Sequence, residues 1–126
     1  MGELEVRLHA RSLEELLVEA GRALAETMGA QLEVPPEGAP LEVRVEAADR
    51  EALLVEWINE LIFQVERTGK VFTHFEVRAL SPHTVEARLF GRPLDEVKTQ
   101  VKAATFHGLS IKERDGELSA KLVLDV

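Results

Sequence analysis

Two carboxylates in this sequence stand where a metal ion could be held. Glu3 begins an alternating apolar and polar segment, and Asp125 follows Leu122 and Leu124 near the other end of the chain. Mg²⁺ and Ca²⁺ prefer carboxylate oxygens, so these two acids could bind a hard cation, with water or backbone oxygens completing the coordination. The ordinary alternative is that both acids are solvated strand ends.

A lysine and a histidine enclose a short apolar run in the last third of the chain. Lys102 precedes this run, segment 103–106, and His107 follows it. We predict a strand that is apolar on both faces. His107 is then either a hydrogen-bonded core histidine or a functional group, and Lys102 is either a lysine at a strand edge or a functional cation.

Most other catalytic chemistry lacks support in the sequence. The chain has no cysteine, which excludes disulfides, thiolate nucleophiles and sulfur-ligated metals. It also lacks GxGxxG, GxxxxGK[ST], HExxH and GxSxG motifs. A small enzyme that combines a carboxylate with His107 stays open, but it would need a deep pocket joining the two groups. The four histidines are too far apart in sequence for a local ligand pair: His9, His74, His83 and His107.

Apolar residues at helical spacing predict two helices, which would position these residues. The first is predicted over 13–28 and the second over 50–68. Trp57 and Phe63 are assigned to the core of the second helix. Each helix has a start signal and a stop signal: Ser12 with Glu15 and then Gly29 for the first, Asp49 and then Gly69 for the second.

The remaining segments predict strands and loops. Strands are predicted at 3–10, 41–46, 71–80, 84–90, 101–111 and 118–126, with turns at 81–83 and 114–116, a proline-rich loop at 34–40 and a short helical turn near 94–97. This order predicts an α+β fold in which two helices pack on a largely antiparallel or mixed sheet. A length of 126 residues suits a single domain over 1–126.

The charge of the chain argues against direct binding of nucleic acid. The formal net charge is -8, and residues 1–69 hold 15 acidic and 6 basic side chains. Phosphate binding needs a basic face, so cations or a basic protein surface are better partners for this half of the chain. Neither a signal peptide nor an apolar run near the ~18 residues of a membrane span is visible, and we expect a cytoplasmic protein without membrane contact.

Three segments and the last residues together resemble the archease family. Segment 101–109 (VKAATFHGL), with LDV at 124–126, is similar to the family's K-A-x-T-[YF]-H motif and its F-D-[IV] ending. Segment 53–62 (LLVEWINELI) is similar to the family's L-L-x-x-W-L-N-E-L-L helix, and 11–16 (RSLEEL) matches the start of its first helix. The resemblance covers nearly the whole chain in the right order.

The resemblance implies an accessory protein, not an enzyme. An archease stimulates an RtcB-type RNA-splicing ligase in tRNA splicing and RNA repair, by helping the ligase take up guanylate and turn over repeatedly. The family's metal site uses acids of the first strand and of the C-terminus, so Glu3 and Asp125 are the expected ligands of Ca²⁺ or Mg²⁺. Lys102 and His107 fall on the K-A-x-T-[YF]-H motif and are expected to support the site or contact the partner. The oligomeric state stays open.

The front of the chain departs from the family pattern. Archeases carry a His-Thr-Ala-Asp motif, and here Met1, Gly2 and Glu3 stand at its last three positions while its histidine has no counterpart. Segment 95–100 also replaces a longer segment that carries a histidine in the family. The alternative is therefore a diverged relative without a metal site, acting as a chaperone or protein-interaction module for RNA-processing enzymes.

Overall fold

Two helices pack beside two antiparallel sheets in the computed structural model, which describes residues 2–126. The elements, in chain order, are β1 (Glu3–Ala10), α1 (Leu13–Met28), β2 (Leu41–Glu46), α2 (Arg50–Thr68), β3 (Lys70–Ser81), β4 (Thr84–Pro93), β5 (Ala103–Thr105), β6 (Lys112–Arg114) and β7 (Glu117–Asp125). This architecture confirms the predicted α+β class.

Each sheet is organised around one central strand. In the first, called here the β7 sheet, β7 pairs with β1 on one side and with both β5 and β6 on the other. In the second, the β4 sheet, β4 lies between β2 and β3. Every pairing is antiparallel, so the single sheet that the sequence suggested is in fact two sheets that share one core.

Both helices begin and end where the sequence predicts. Ser12 Oγ accepts a hydrogen bond from the amide of Glu15 at 3.1 Å, and Asp49 caps α2 in the same way. These caps bind amide groups that have no partner within the first turn. Gly29 and Gly69 end the helices with φ angles of 106° and 74°, which are strained for residues with a Cβ.

The core is formed by both helices and by the inward faces of both sheets. Trp57 is fully buried, and its indole Nε1 donates a hydrogen bond to the carbonyl of Leu17 at 2.8 Å. This bond explains how the indole N–H is satisfied in an apolar setting. The assignment of Trp57 to the core is confirmed. That of Phe63 is wrong, because Phe63 is 55% exposed and lies one heptad from the exposed Glu56 on the outer face of α2.

The predicted strand at 101–111 is wrong, since only β5 and β6 are extended within or beside it. Thr105 pairs with Val123, and Lys112 pairs with Ser119. The chain therefore advances seven residues from Thr105 to Lys112, while the paired positions on β7 are only four residues apart. The extra residues form an excursion that contains a turn, in which the amide of Leu109 donates to the carbonyl of Phe106 at 3.0 Å. We call residues 106–111 the excursion loop.

The predicted helical turn near 94–97 is also wrong. This segment is irregular, and it is followed by a hydrogen bond of 2.8 Å from the amide of Lys98 to the carbonyl of Met28. This bond attaches the segment to the C-terminal end of α1. The segment therefore runs along the end of α1 and does not form a helical turn. Neither helix of residues 2–126 has the length and apolar character to cross a membrane.

Candidate functional site

The two candidate metal ligands lie on neighbouring strands. Glu3 of β1 stands directly opposite Asp125 of β7. Gly2 and Val126 exchange both backbone hydrogen bonds, at 3.1 and 3.0 Å, so the adjacent pair of Glu3 and Asp125 is a non-hydrogen-bonded pair. In such pairs the Cα atoms are about 4.5 Å apart and the side chains are closest. Antiparallel register therefore brings the two carboxylates side by side on one face.

This face points away from the core. Leu122 and Leu124 of β7 are fully buried on the helix side, and Asp125 alternates with them. Glu3 is exposed and Asp125 is partly buried. The backbone of Asp125 is also held on the side opposite β1, since its carbonyl accepts a hydrogen bond of 2.8 Å from the amide of Lys102.

The arrangement fits a cation held by two carboxylates. Glu3 and Asp125 form no ion pair with any residue of 2–126, so within this range no cationic side chain neutralises either carboxylate. Over the same residues no group of three His, Asp or Glu side chains converges as a metal site would require. Mg²⁺ is commonly held by one or two carboxylates with water in the remaining positions. The pair matches that pattern and supplies no third protein ligand.

Lys102 and His107 are placed differently from each other. Lys102 is exposed immediately before β5 and is tied to Asp125 through its backbone amide. His107 is exposed in the excursion loop, so the interpretation of His107 as a hydrogen-bonded core histidine is wrong. The structure brings Glu3, Asp125 and the backbone of Lys102 together, while His107 lies beyond the end of β5.

Sequence reasoning missed Asn59, which holds β5 in place. Its Nδ2 donates to the carbonyl of Ala104 at 3.3 Å, and its Oδ1 accepts from the amide of Ala104 at 2.8 Å. The side chain thus binds the edge of β5 that faces away from β7, as a neighbouring strand would. The available signal was an amide residue between Ile58 and Leu61 in the apolar stripe of α2.

Comparison with known sequences decides the family. A sequence model described as the Archease protein family (MTH1598/TM1083) matches residues 2–126. The chain belongs to the archease family. An archease of Methanopyrus kandleri is 34% identical over 127 residues, which is 95% of this chain and 90% of that protein. An archease of Thermococcus gammatolerans is 32% identical, covering 98% of this chain and 92% of the relative.

Solved structures of archeases share the fold. The solution structure of Methanobacterium thermoautotrophicum protein 1598 superposes with a TM-score of 0.82 at 25% identity, over 100% of this chain and 94% of that one. The crystal structure of a Thermotoga maritima protein, described as an archease and possible chaperone, gives a TM-score of 0.73 at 22% identity over 98% and 90%. The resemblance and the fold class inferred from the sequence are thereby confirmed.

Proposed function

We propose that this archease-family chain stimulates an RtcB-type RNA-splicing ligase in tRNA splicing and RNA repair. It acts in the cytoplasm as an accessory protein and catalyses no reaction itself. The stimulation consists of helping the ligase take up guanylate and turn over repeatedly. The observation that carries the proposal is the register pair of Glu3 and Asp125, two directly opposed acids that form no ion pair with any of the residues 2–126.

The charge of this pair favours a bound cation. Like charges directly opposite each other in a sheet are destabilising, so the pair costs folding energy unless something neutralises it. A bound Ca²⁺ or Mg²⁺ would supply a positive centre with positions open to oxygen ligands. Glu3 and Asp125 would hold it, and the hydrogen bond from the amide of Lys102 keeps the end of β7 in position. The exposed side chains of Lys102 and His107 are available for contact with the ligase.

The proposal is tested by calorimetric titration of Ca²⁺ and Mg²⁺ into the wild type, Glu3→Gln and Asp125→Asn. We expect saturable binding in the wild type and at least about tenfold weaker binding in either variant, since each substitution removes one charged ligand. Glu117→Gln is the matched control, because Glu117 is an exposed acid on the same strand and face. In a multiple-turnover ligase assay, Asp125→Asn should lose stimulation and Glu117→Gln should keep it.

Two results would contradict the proposal. If the wild type binds neither cation, the metal site is wrong. If Asp125→Asn loses the cation but still stimulates the ligase fully, the site does not serve the ligase.

The second candidate function is that of a chaperone or protein-interaction module for RNA-processing enzymes. The absence of a third converging ligand within residues 2–126 favours it, together with the degenerate His-Thr-Ala-Asp motif. This candidate predicts that the chain reduces aggregation of a thermally stressed ligase and that Glu3→Gln and Asp125→Asn leave this protection unchanged. Loss of protection in both variants would exclude it.

A further inference from the structure

The outward face of the β7 sheet changes its charge along the strands. Beyond the acid pair, Arg7 stands opposite Lys121, and His9 stands opposite Ser119. Ser119 in turn lies opposite Lys112 of β6. Cross-strand partners share a face, so the basic side chains of β1, β6 and β7 project from one surface, where all are exposed.

These cations are only partly neutralised by the protein. The Nζ of Lys121 lies 3.6 Å from a carboxylate oxygen of Glu5, a half-exposed pair of low strength. Arg7 and Lys112 form no ion pair with any residue between 2 and 126. Arg7 directly opposite Lys121 is moreover a like-charge pair, which costs stability. A cationic patch that stays only partly neutralised, on a chain of net charge -8, favours an anionic ligand.

The patch is also concave. The excursion loop forms one wall of a groove of about 360 Å³, to which it contributes Gly108 and Ser110. Gly108 has a φ of 67°, and a Cβ built there would lie 4.0 Å from the Nζ of Lys121, so the ammonium group reaches the turn. The groove lies within the size range of small-molecule sites. Its polar lining residues are Arg7, His9, Ser110, Lys112, Ser119 and Lys121.

We propose that this groove binds the phosphate groups of a small polyphosphate. A guanidinium offers paired donors to two phosphate oxygens, and the ammonium groups act as point charges. Ser110 and Ser119 add hydroxyl donors from two sides of the groove. The lining has no phenylalanine or tryptophan, and the imidazole of His9 is the one ring in it on which a base could stack, so recognition rests mainly on the phosphates. The inference does not rest on the ligase or on the cation site.

The test is calorimetric titration of pyrophosphate, in a low-salt buffer with EDTA, into the wild type and Arg7→Gln/Lys112→Gln. EDTA removes divalent cations, so the result is independent of Glu3 and Asp125. We expect saturable binding in the wild type and at least about tenfold weaker binding in the double variant, as for the loss of charge-assisted hydrogen bonds. Arg78→Gln/Arg88→Gln is the control, because it removes the same charge from two arginines of the β4 sheet, one exposed and one partly buried. This variant should bind pyrophosphate as the wild type does.

Parallel titrations identify the source of the phosphates. ATP that binds more tightly than pyrophosphate indicates a nucleotide, whereas equal or weaker binding of ATP indicates that the groove recognises the phosphates alone. The proposal is overturned if pyrophosphate does not bind the wild type, or if the two double variants weaken it equally. It is also overturned if single-stranded RNA binds while pyrophosphate does not, since the surface would then recognise nucleic acid. Removing Arg7 relieves the like-charge pair, so the double variant should fold, which circular dichroism verifies.

Discussion

At the scale of single residues, the amide side chain of Asn59 takes the place of a strand beside β5. It binds both the N–H and the C=O of Ala104, which are otherwise directed away from β7. A short edge strand of three residues has few hydrogen bonds of its own. Asn59 therefore joins α2 to the segment whose backbone supports Asp125.

We predict that Asn59→Ala destabilises the protein by about 1–3 kcal/mol, because it leaves the amide and carbonyl of Ala104 without partners in a partly buried site. Urea unfolding followed by circular dichroism measures the change. Glu56→Ala, on the exposed face of the same helix, is the control and should stay within about 0.5 kcal/mol of the wild type. Equal effects in the two variants would show that the Asn59 hydrogen bonds contribute nothing.

Thr105 offers a prediction of opposite sign. Its Oγ1 is buried and has no hydrogen-bond partner within residues 2–126. An unpaired buried hydroxyl costs about 1–3 kcal/mol by mutational data. Thr105→Val keeps the shape and removes the hydroxyl, so we expect stability to rise by up to about that amount, measured as the midpoint of urea unfolding. Ser119→Ala, which removes a partly exposed hydroxyl from β7, should have little effect. Destabilisation of Thr105→Val would mean that the hydroxyl has a partner in solution.

The sequence identifies the candidate residues but not their neighbours. Glu3 and Asp125 can be chosen as acids at strand ends, yet only the register of β1 against β7 makes them direct partners. Their role as cation ligands stays a prediction. The environment of His107 could not be predicted, because it depends on the excursion loop, which comes from the unequal spacing of β5 and β6 along β7.

At the scale of elements, the β3–β4 hairpin has a close backbone contact that requires glycine. A Cβ at Gly91 would lie 2.4 Å from the carbonyl oxygen of Val71 and 2.9 Å from a ring carbon of Phe72. Gly91 pairs with Phe72 next to an irregularity between Phe72 and His74. Glycine inside a strand often marks such a close approach.

We predict that Gly91→Ala destabilises the protein by about 1–3 kcal/mol, because β3 and β4 must separate to accept the methyl group. Thermal and urea unfolding measure this change. Gly2→Ala is the matched control, since its Cβ would meet Val126 at an ordinary 3.9 Å, and it should change stability by less than about 0.5 kcal/mol. A wild-type stability for Gly91→Ala would show that the hairpin widens freely.

The bounds of both helices could be predicted because the residues that start and end a helix act locally. Ser12, Asp49, Gly29 and Gly69 act within one turn of each helix end, and the structure places the ends there. The segment 101–111 could not be predicted in the same way. Val101, Ala104 and Ile111 are buried at positions that suit one long strand, but the strand ends at Thr105 and Ile111 lies in the excursion loop. Apolar content alone does not show where a strand is interrupted.

At the scale of the whole molecule, the outward face of the β7 sheet carries an acidic region and a basic region. The acids Glu3 and Asp125 lie at one end of the β1–β7 pair, and Arg7, Lys112 and Lys121 lie farther along. The net charge of -8 hides this separation, because an average over the chain sums side chains that the fold separates. A cation and a phosphate ligand could occupy the same face without competing for side chains.

The central place of β7 also constrains how the protein is made. The ribosome releases β1 before β7, but β1 pairs with residues 118–125, and β5 and β6 pair with the same strand. The β3–β4 hairpin and both helices depend on nearer neighbours and can form during synthesis. Until residue 125 leaves the ribosome, β1 is an unpaired edge open to other nascent chains. A ribosome that slows or stalls before β7 is released would therefore expose this chain to aggregation.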